Sequence, residues 1–205
     1  MSTQVRKRNA RGSGALLRDE ILAAARRLLD DAEHEADLTL RKIAAAAGIS
    51  APAIYSHFRH RDAILAAIVE QSWQQVVADI RAAADSLTEP RDRLFLGCQV
   101  YVAYAQRYPM RYELMTRTAG PSPAAKEALG VLTHALASCQ QRPGPHPEAI
   151  RIAAALSTAL HGVAMLNRTG VPAMWLSDVS PDDVLRTLVD GAIDQQSRTT
   201  VKETR

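Results

Sequence analysis

The sequence predicts an all-α fold of about nine helices, and three observations predict it. Apolar residues recur at helical spacing in one segment after another, and no stretch has the period-two alternation of a half-buried strand. Prolines stand where helices begin (Pro52, Pro90, Pro109, Pro123, Pro181), the place where a missing N–H costs nothing. The chain has 205 residues, 47% apolar and 23% charged, which is ample for a buried helical core. No window approaches the roughly 18 uninterrupted apolar residues of a membrane span, and the N-terminus has charge but no apolar run behind it, so it does not read as a secretory signal.

Taken in order, residues 1–13 form a basic arm expected to be disordered without a partner. A helix follows from about Ala15 to Asp31, with Leu17, Ile21, Leu22, Ala25, Leu28 and Leu29 on one face. The acidic stretch from Asp30 to Asp37 breaks that pattern. Thr39 is a good N-cap for a short helix carrying Leu40, Ile43 and Ala44. Gly48 supplies permissive backbone where that helix stops, and Ser50 caps a second one whose Ile54 and Phe58 face the core. A short helix, a Gly-containing turn and a second short helix make a helix-turn-helix, whose second helix is the one offered to a DNA major groove. Residues 14–61 are thus read as a DNA-binding domain.

From Asp62 to about Leu87 the pattern of Ile64, Leu65, Ile68, Val69, Trp73, Val76, Val77 and Ile80 is sustained for roughly 25 residues, about 37 Å of helix. Such a helix starts in the head and ends in a second module. Further helices are read from Pro90 to Arg107, Met110 to Thr118 (ended by Gly120), Pro123 to about Gln141, Glu148 to Arg168 (stopped by Gly170 and Pro172), and Pro181 to near Gln196. The Pro- and Gly-rich residues 142–147 form a loop. Residues 62–196 make a ligand-binding and dimerisation domain, and 197–205 a flexible tail.

Charge is distributed unevenly. The net charge is +3, yet 11 of the 25 Lys and Arg and only 7 of the 22 Asp and Glu precede residue 62. Arg6, Lys7, Arg8 and Arg11 lie in the first dozen residues without an acid among them. An arm of this kind either seeks phosphates and a minor groove or solubilises a tail; plain electrostatic affinity for DNA favours the arm. In the head, Ser50 and the first turn of the second helix suit a phosphate or a base edge, with Ala51 and Pro52 beside it. Arg41 and Lys42, just past the Thr39 cap, either reach DNA or present a solvated face. The second helix, Ser50 to Phe58, contains no Arg, Lys, Asn or Gln, the side chains that make bidentate contacts to bases. Its specificity is therefore expected to lean on small contacts, the arm and DNA shape.

The carrying residues of a family resemblance are now in hand: Ile21 with Ala24 and Ala25; Thr39, Ile43 and Ala44; Ala47-Gly48-Ile49-Ser50; Ile54-Tyr55-Ser56-His57-Phe58; then Arg61, where the family usually has lysine, with Asp62 and Leu65. Over about residues 15–65 the chain resembles the TetR-family transcriptional regulators. Tyr101 to Met115 and Leu160-His161-Gly162 resemble, more weakly, the C-terminal type named for its Trp-His-Gly motif, with Leu160 at the Trp position. The resemblance implies a nine-helix homodimer, in many members a repressor released from a palindromic operator by a small molecule. It also implies phosphate contacts for Tyr55 and His57; Arg61, opening the long helix, is expected to meet backbone phosphate as well. The other reading for Tyr55 is a core tyrosine.

In the second module Trp73, Val77, Tyr101, Tyr104, Tyr112, Met115, His161 and Met165 are the candidate ligand-binding residues: large or partly polar side chains among Ala, Leu and Val, as a pocket between helices needs, or else ordinary core. Few charges fall on these faces, so the ligand expected is hydrophobic or aromatic. Gly162 in mid-helix implies close approach of a ligand or a neighbouring helix. Helices 148–168 and 181–196, rich in small and apolar residues, are expected to pair two subunits. Cys98 and Cys139 read as free thiols, the six histidines show no metal-ligand spacing, and no phosphate loop or nucleophile elbow is present. Neither a cofactor nor catalysis is expected, and the compartment expected is the cytoplasm. The alternative function is a DNA-binding regulator without an inducer, an activator or one controlled by a protein partner.

Overall fold

The computed structural model describes residues 14–117, 122–140, 144, 146–168 and 178–203. The arm bearing Arg6, Lys7, Arg8 and Arg11 lies outside them, as do Gly120, Gly170 and Pro172. Among the described residues there are nine α-helices and one 3-10 turn: α1 (Gly14–Asp30), the 3-10 turn Glu35–Asp37, α2 (Leu40–Ala46), α3 (Ala51–Tyr55), α4 (Arg61–Ala84), α5 (Pro90–Arg107), α6 (Pro109–Arg117), α7 (Pro123–Cys139), α8 (Pro147–Arg168) and α9 (Pro181–Glu203). They fall into two compact units. The first takes the chain as far as Val69 and regains it from Met110 to the end of α6; the second takes Glu70–Pro109 and the chain from α7 onward. The division thus falls inside α4 rather than at residue 61, and α6 joins the head.

The first unit packs α1 on α2 and α2 on α3. Ile21, Leu22, Ala25 and Leu29 of α1, Ile43 of α2 and Ile54 of α3 are wholly buried, which is what their helical spacing requires. Tyr112, Leu114 and Met115 of α6 are buried in the same unit. Charge then ties distant segments together. Arg111 of α6 forks onto Asp30, its Nε 2.6 Å from Oδ1 and Nη2 on the second oxygen. Glu35 of the 3-10 turn receives Arg61 at 2.9 Å and Arg117 as well. The acidic connection, which by pattern alone is only irregular, is therefore the anchor for three arginines.

Caps explain most boundaries. Thr39 Oγ1 accepts from the Lys42 N–H at 3.2 Å, and Gly48, at φ 65, ends α2 in the left-handed region. Two histidines cap helices as well. His60 Nδ1 accepts from the Ala63 N–H at 3.2 Å and starts α4; His146 Nδ1 accepts from the Ala149 N–H at 3.3 Å and starts α8. At the other end, α9 runs on to Glu203, past the expected end near Gln196, because residues 197–203 contain no Gly or Pro to stop it.

In the second unit α8 packs against α5, α7 and α9. Leu94, Cys98, Leu136, Leu156, Leu185 and Val189 lie in its core. By length and composition alone, α8 is apolar enough to cross a bilayer over Pro147–Leu166, yet it covers three helices with its inner side, and only 39% of that window is buried. Glu70 joins α4 to the start of α7: one carboxylate oxygen accepts from Ser122 Oγ at 2.8 Å and the other from the Ala124 N–H at 3.1 Å.

Candidate functional site

The helix-turn-helix ends in a short reading helix. α3 stops at Tyr55, three residues before Phe58, because the Ile54 carbonyl receives both the His57 and the Phe58 N–H at 2.9 Å and the chain folds back. Phe58, 4% exposed, is pinned beneath and carries the Arg18 guanidinium 5.0 Å above its ring. Ser50 occupies the N-cap position, but its hydroxyl makes no capping bond. This differs from Thr39, whose oxygen is used, and it leaves Ser50 Oγ available on an exposed residue.

Around it, Pro52 is exposed and Tyr55 is 59% exposed, so Tyr55 is not a core tyrosine. Ala51 and His57 are half-buried. Arg41 and Lys42 are both exposed, with Lys42 only loosely held, its ammonium 4.0 Å from Asp37. Arg59 is exposed as well; the sequence reading passed over it in favour of Arg61. The structure gives Arg61 partners within the head. The Arg61 Nε donates to the Leu38 carbonyl at 2.6 Å, and its Nη2 meets the Glu35 carbonyl and carboxylate. A guanidinium with its donors engaged in this way fixes the start of α4 to the turn before α2. The expectation that Arg61 reaches phosphate gives way to an internal role.

The second unit holds an apolar cavity of about 100 Å³ walled by α4, α5, α7 and α8. Trp73 and Tyr101 line it, with ring centroids 6.3 Å apart in a stacked arrangement. Cys98 lines it too; burial pushes that thiol up to about 12, so it offers the cavity a neutral, apolar sulfur. The other candidates go elsewhere. Tyr112 and Met115 are core residues of the first unit, Met165 is 41% exposed, Val77 and Tyr104 are buried in packing, and His161 is not in the cavity wall. Helical periodicity marked their faces as covered but not what covers them. Among the described residues, Gly162 has nothing within 4 Å of where a Cβ would stand, so no close neighbour there accounts for its small size.

A helix-turn-helix presenting an exposed polar and cationic face, followed by a separate helical unit with an apolar cavity, defines a DNA-binding regulator of transcription. Comparison with known proteins narrows the class. Residues 21–68 match the model of bacterial regulatory proteins of the tetR family, and residues 94–192 match that of the tetracyclin repressor-like C-terminal domain. The chain belongs to the TetR family of transcriptional regulators.

Among its relatives, the HTH-type transcriptional regulator EthR of Mycolicibacterium smegmatis is 28% identical over 192 residues, 89% of this chain and 87% of EthR. The nucleoid occlusion factor SlmA of Vibrio vulnificus is 28% identical over 99 residues, so the match spans 48% of this chain and half the length of that relative. A solved protein of unknown function from Rhodococcus sp. RHA1 superimposes with a TM-score of 0.71 at 25% identity, covering 94% of this chain and 98% of that one. BioQ with its natural double-stranded DNA operator superimposes at 0.63 and 20% identity, covering 86% of this chain and 98% of BioQ, which is a likeness of fold.

Proposed function

We propose that this chain is a homodimeric repressor that leaves a palindromic operator when a small, largely apolar ligand enters the second unit. The observation that carries this reading is the apolar cavity beside α4, the helix that begins in the head and continues past Val69 into the second unit. On the DNA side, Ser50, Ala51 and Pro52 face base edges, while Tyr55, His57, Arg41, Lys42 and Arg59 meet phosphate. Thr39 contributes by capping α2, and the arm with Arg6, Lys7, Arg8 and Arg11 adds affinity that falls with salt.

The dimer is supported by what α8 and α9 leave uncovered. Ile150, Leu166 and Met165 are 48%, 38% and 41% exposed, and Ala154, Thr158 and Gly162 between them are exposed and small. Gly191 of α9 likewise has open space where a Cβ would stand. Two such helices from each subunit make a four-helix contact about a two-fold axis, which suits a protein that reads two half-sites.

Release works through differential affinity. A ligand that favours the DNA-free arrangement must bind it about 10⁴-fold better to move the population from 1:99 to 99:1. A wedge among Trp73, Val76 and Tyr101 acts on α4 directly and, through Glu70, on the start of α7.

A second reading keeps DNA binding and drops the inducer, leaving an activator or a partner-controlled regulator. The size of the cavity favours it, since about 100 Å³ is less than the roughly 150 Å³ of an engineered cavity that takes benzene.

Selecting bound sequences from a random DNA pool tests the central claim, repeated with apolar ligands present and paired with sedimentation of the free protein. A palindrome, a dimer and ligand-dependent release are expected. Recovery of no palindrome removes the operator reading, and a palindrome indifferent to every ligand leaves the second reading in place.

A further inference from the structure

The apolar cavity does not stand alone. A wider groove of about 740 Å³, lined by charged as well as apolar side chains, lies against it, and the two share Ile80, Arg93, Val131 and Ala135 as a common wall. The inner chamber is too small for a whole drug-sized molecule, since such pockets run to about 300–1,000 Å³. A ligand that enters it must therefore leave part of itself in the groove. The question is which chemistry that outer part carries.

Of the shared wall residues only Arg93 is charged. Its guanidinium donates to the Leu87 carbonyl over a long 3.4 Å. The other charges of the groove lie on its outer side: Arg81 and Glu127 form a pair at 2.8 Å, and Asp85 lines the groove but not the chamber. Thr88 and Pro90, where α5 begins, also line the groove. Glu89, at the N-cap position of that helix, makes no side-chain capping bond, and Asp92 lies in the first turn, so the charge that an anion would meet here is that of Arg93 and not the helix end. A head group emerging from the chamber thus meets Arg93 first, beside the start of α5.

We propose that the effector is a small amphipathic monocarboxylate, its short apolar end in the chamber under Trp73 and Tyr101 and its carboxylate on Arg93. This rests on the effector reading given above. A guanidinium recognises a planar carboxylate by paired N–H donors, which a neutral hydroxyl head cannot use in the same way. Gly97 keeps the chamber wall open between α4 and α5. A Cβ at that position would lie 3.2 Å from Ile80 Cγ2, and both residues line the chamber.

The test is calorimetric titration of the full chain with straight-chain alkanoates from butanoate to dodecanoate, each beside the alcohol with the same tail. The wild type should bind the carboxylate at least tenfold more tightly than its alcohol. Affinity should rise about fourfold per methylene and then level off early, once the chamber is full. Arg93→Gln should bring the carboxylate down to the level of the alcohol while the alcohol is unchanged, in a protein whose melting curve shows it folded. Gly97→Val should weaken both. Equal affinity for acid and alcohol in the wild type overturns the carboxylate assignment and leaves the effector site standing. Binding of neither by the wild type removes the effector site together with it.

Discussion

The first unit closes a small core with arginine–carboxylate pairs drawn from far along the chain; the second has such pairs too, Arg91 on Asp190 and Arg81 on Glu127, but retains a cavity among its apolar helices. In the head, Asp30 and Glu35 collect Arg111, Arg117 and Arg61 around a centre of wholly buried Ile21, Leu22, Ile43 and Ile54. In the second unit Leu94, Leu136, Leu156 and Leu185 pack around helices that leave the chamber between them. A head of this size has little core to spend, so orientation is fixed by directional hydrogen bonds, which tolerate no slack. A receptor needs the opposite: a packing defect that a ligand can fill. On the proposed function, the contrast teaches that the tied core stands where DNA is read and the packing defect where a ligand is to enter.

The sharpest way to break that contrast is to cut an equal amount from both cores. Ile54→Ala in the head and Leu160→Ala in the chamber wall should each cost about 2–5 kcal/mol, measured by urea unfolding. Leu160→Ala enlarges a space that already exists, so a chamber ligand should restore part of its loss. Ile54 is not in the chamber wall, and the same ligand should leave the deficit of Ile54→Ala unchanged. Equal rescue of both variants would sink the distinction.

Next in size is Arg61→Ala, expected to destabilise by about 1–3 kcal/mol because the Leu38 carbonyl and Glu35 lose a donor. The measurement that separates this role from phosphate contact is the salt dependence of operator binding. A phosphate ligand lost would lower the slope of log K against log salt by about 1; the slope in Arg61→Ala, compared under conditions where it is folded, should stay near the wild type. Arg59→Ala should show the reverse, with stability intact and a shallower slope.

The fate of Arg61 also shows what a sequence yields and what it withholds. Helix order, the Thr39 cap, the Gly48 stop and the buried stripe of α1 were all legible, because each depends on neighbours within a turn or two. The fold-back after Tyr55 was not, since both Ile54 and Phe58 fit a longer helix and only the shared Ile54 carbonyl shortens it. Arg61 lies more than twenty residues from Leu38 and Glu35, so no local pattern couples them. Tyr112 and Met115 carried the right periodicity for burial, but that period is the same whichever unit does the covering. His60 and His146 were weighed only as metal ligands, although an imidazole nitrogen caps a helix whenever the geometry brings it to the first free N–H. The Trp73–Tyr101 side of the chamber was legible because two large rings in an Ala- and Leu-rich setting cannot both be hidden cheaply.

A smaller effect divides the two caps of the reading motif. Thr39→Ala removes a used acceptor and should cost about 1 kcal/mol of stability, seen in thermal unfolding. Ser50→Ala removes a hydroxyl that caps nothing, so stability should move by only a few tenths of a kcal/mol while operator affinity falls. If Ser50→Ala instead destabilises as much as Thr39→Ala, its hydroxyl belongs to the fold and not to the DNA face.

The smallest effect concerns the last helix of the second unit, where a carboxylate and a hydroxyl share the cap. Ser180 Oγ accepts from the Asp183 N–H at 3.1 Å and donates to Asp183 Oδ2 at 2.6 Å, and the Ser180 N–H adds a longer bond at 3.3 Å. These bonds hold the Asp183 carboxyl below its ordinary value of 3.8, the Ser180 hydroxyl foremost. A group whose folded value is depressed contributes stability above its unfolded value, and loses it as pH falls through the folded one. Ser180→Ala should therefore raise the Asp183 titration midpoint toward 3.8, followed by NMR. The stability gap between variant and wild type, seen at neutral pH, should narrow as pH drops below that midpoint. Since the carboxylate is fully exposed, solvent screens it, and the part of the gap that is lost in acid should be the least of the four effects. A gap that persists unchanged into acid would mean that the hydroxyl caps the α9 backbone without help from the charge.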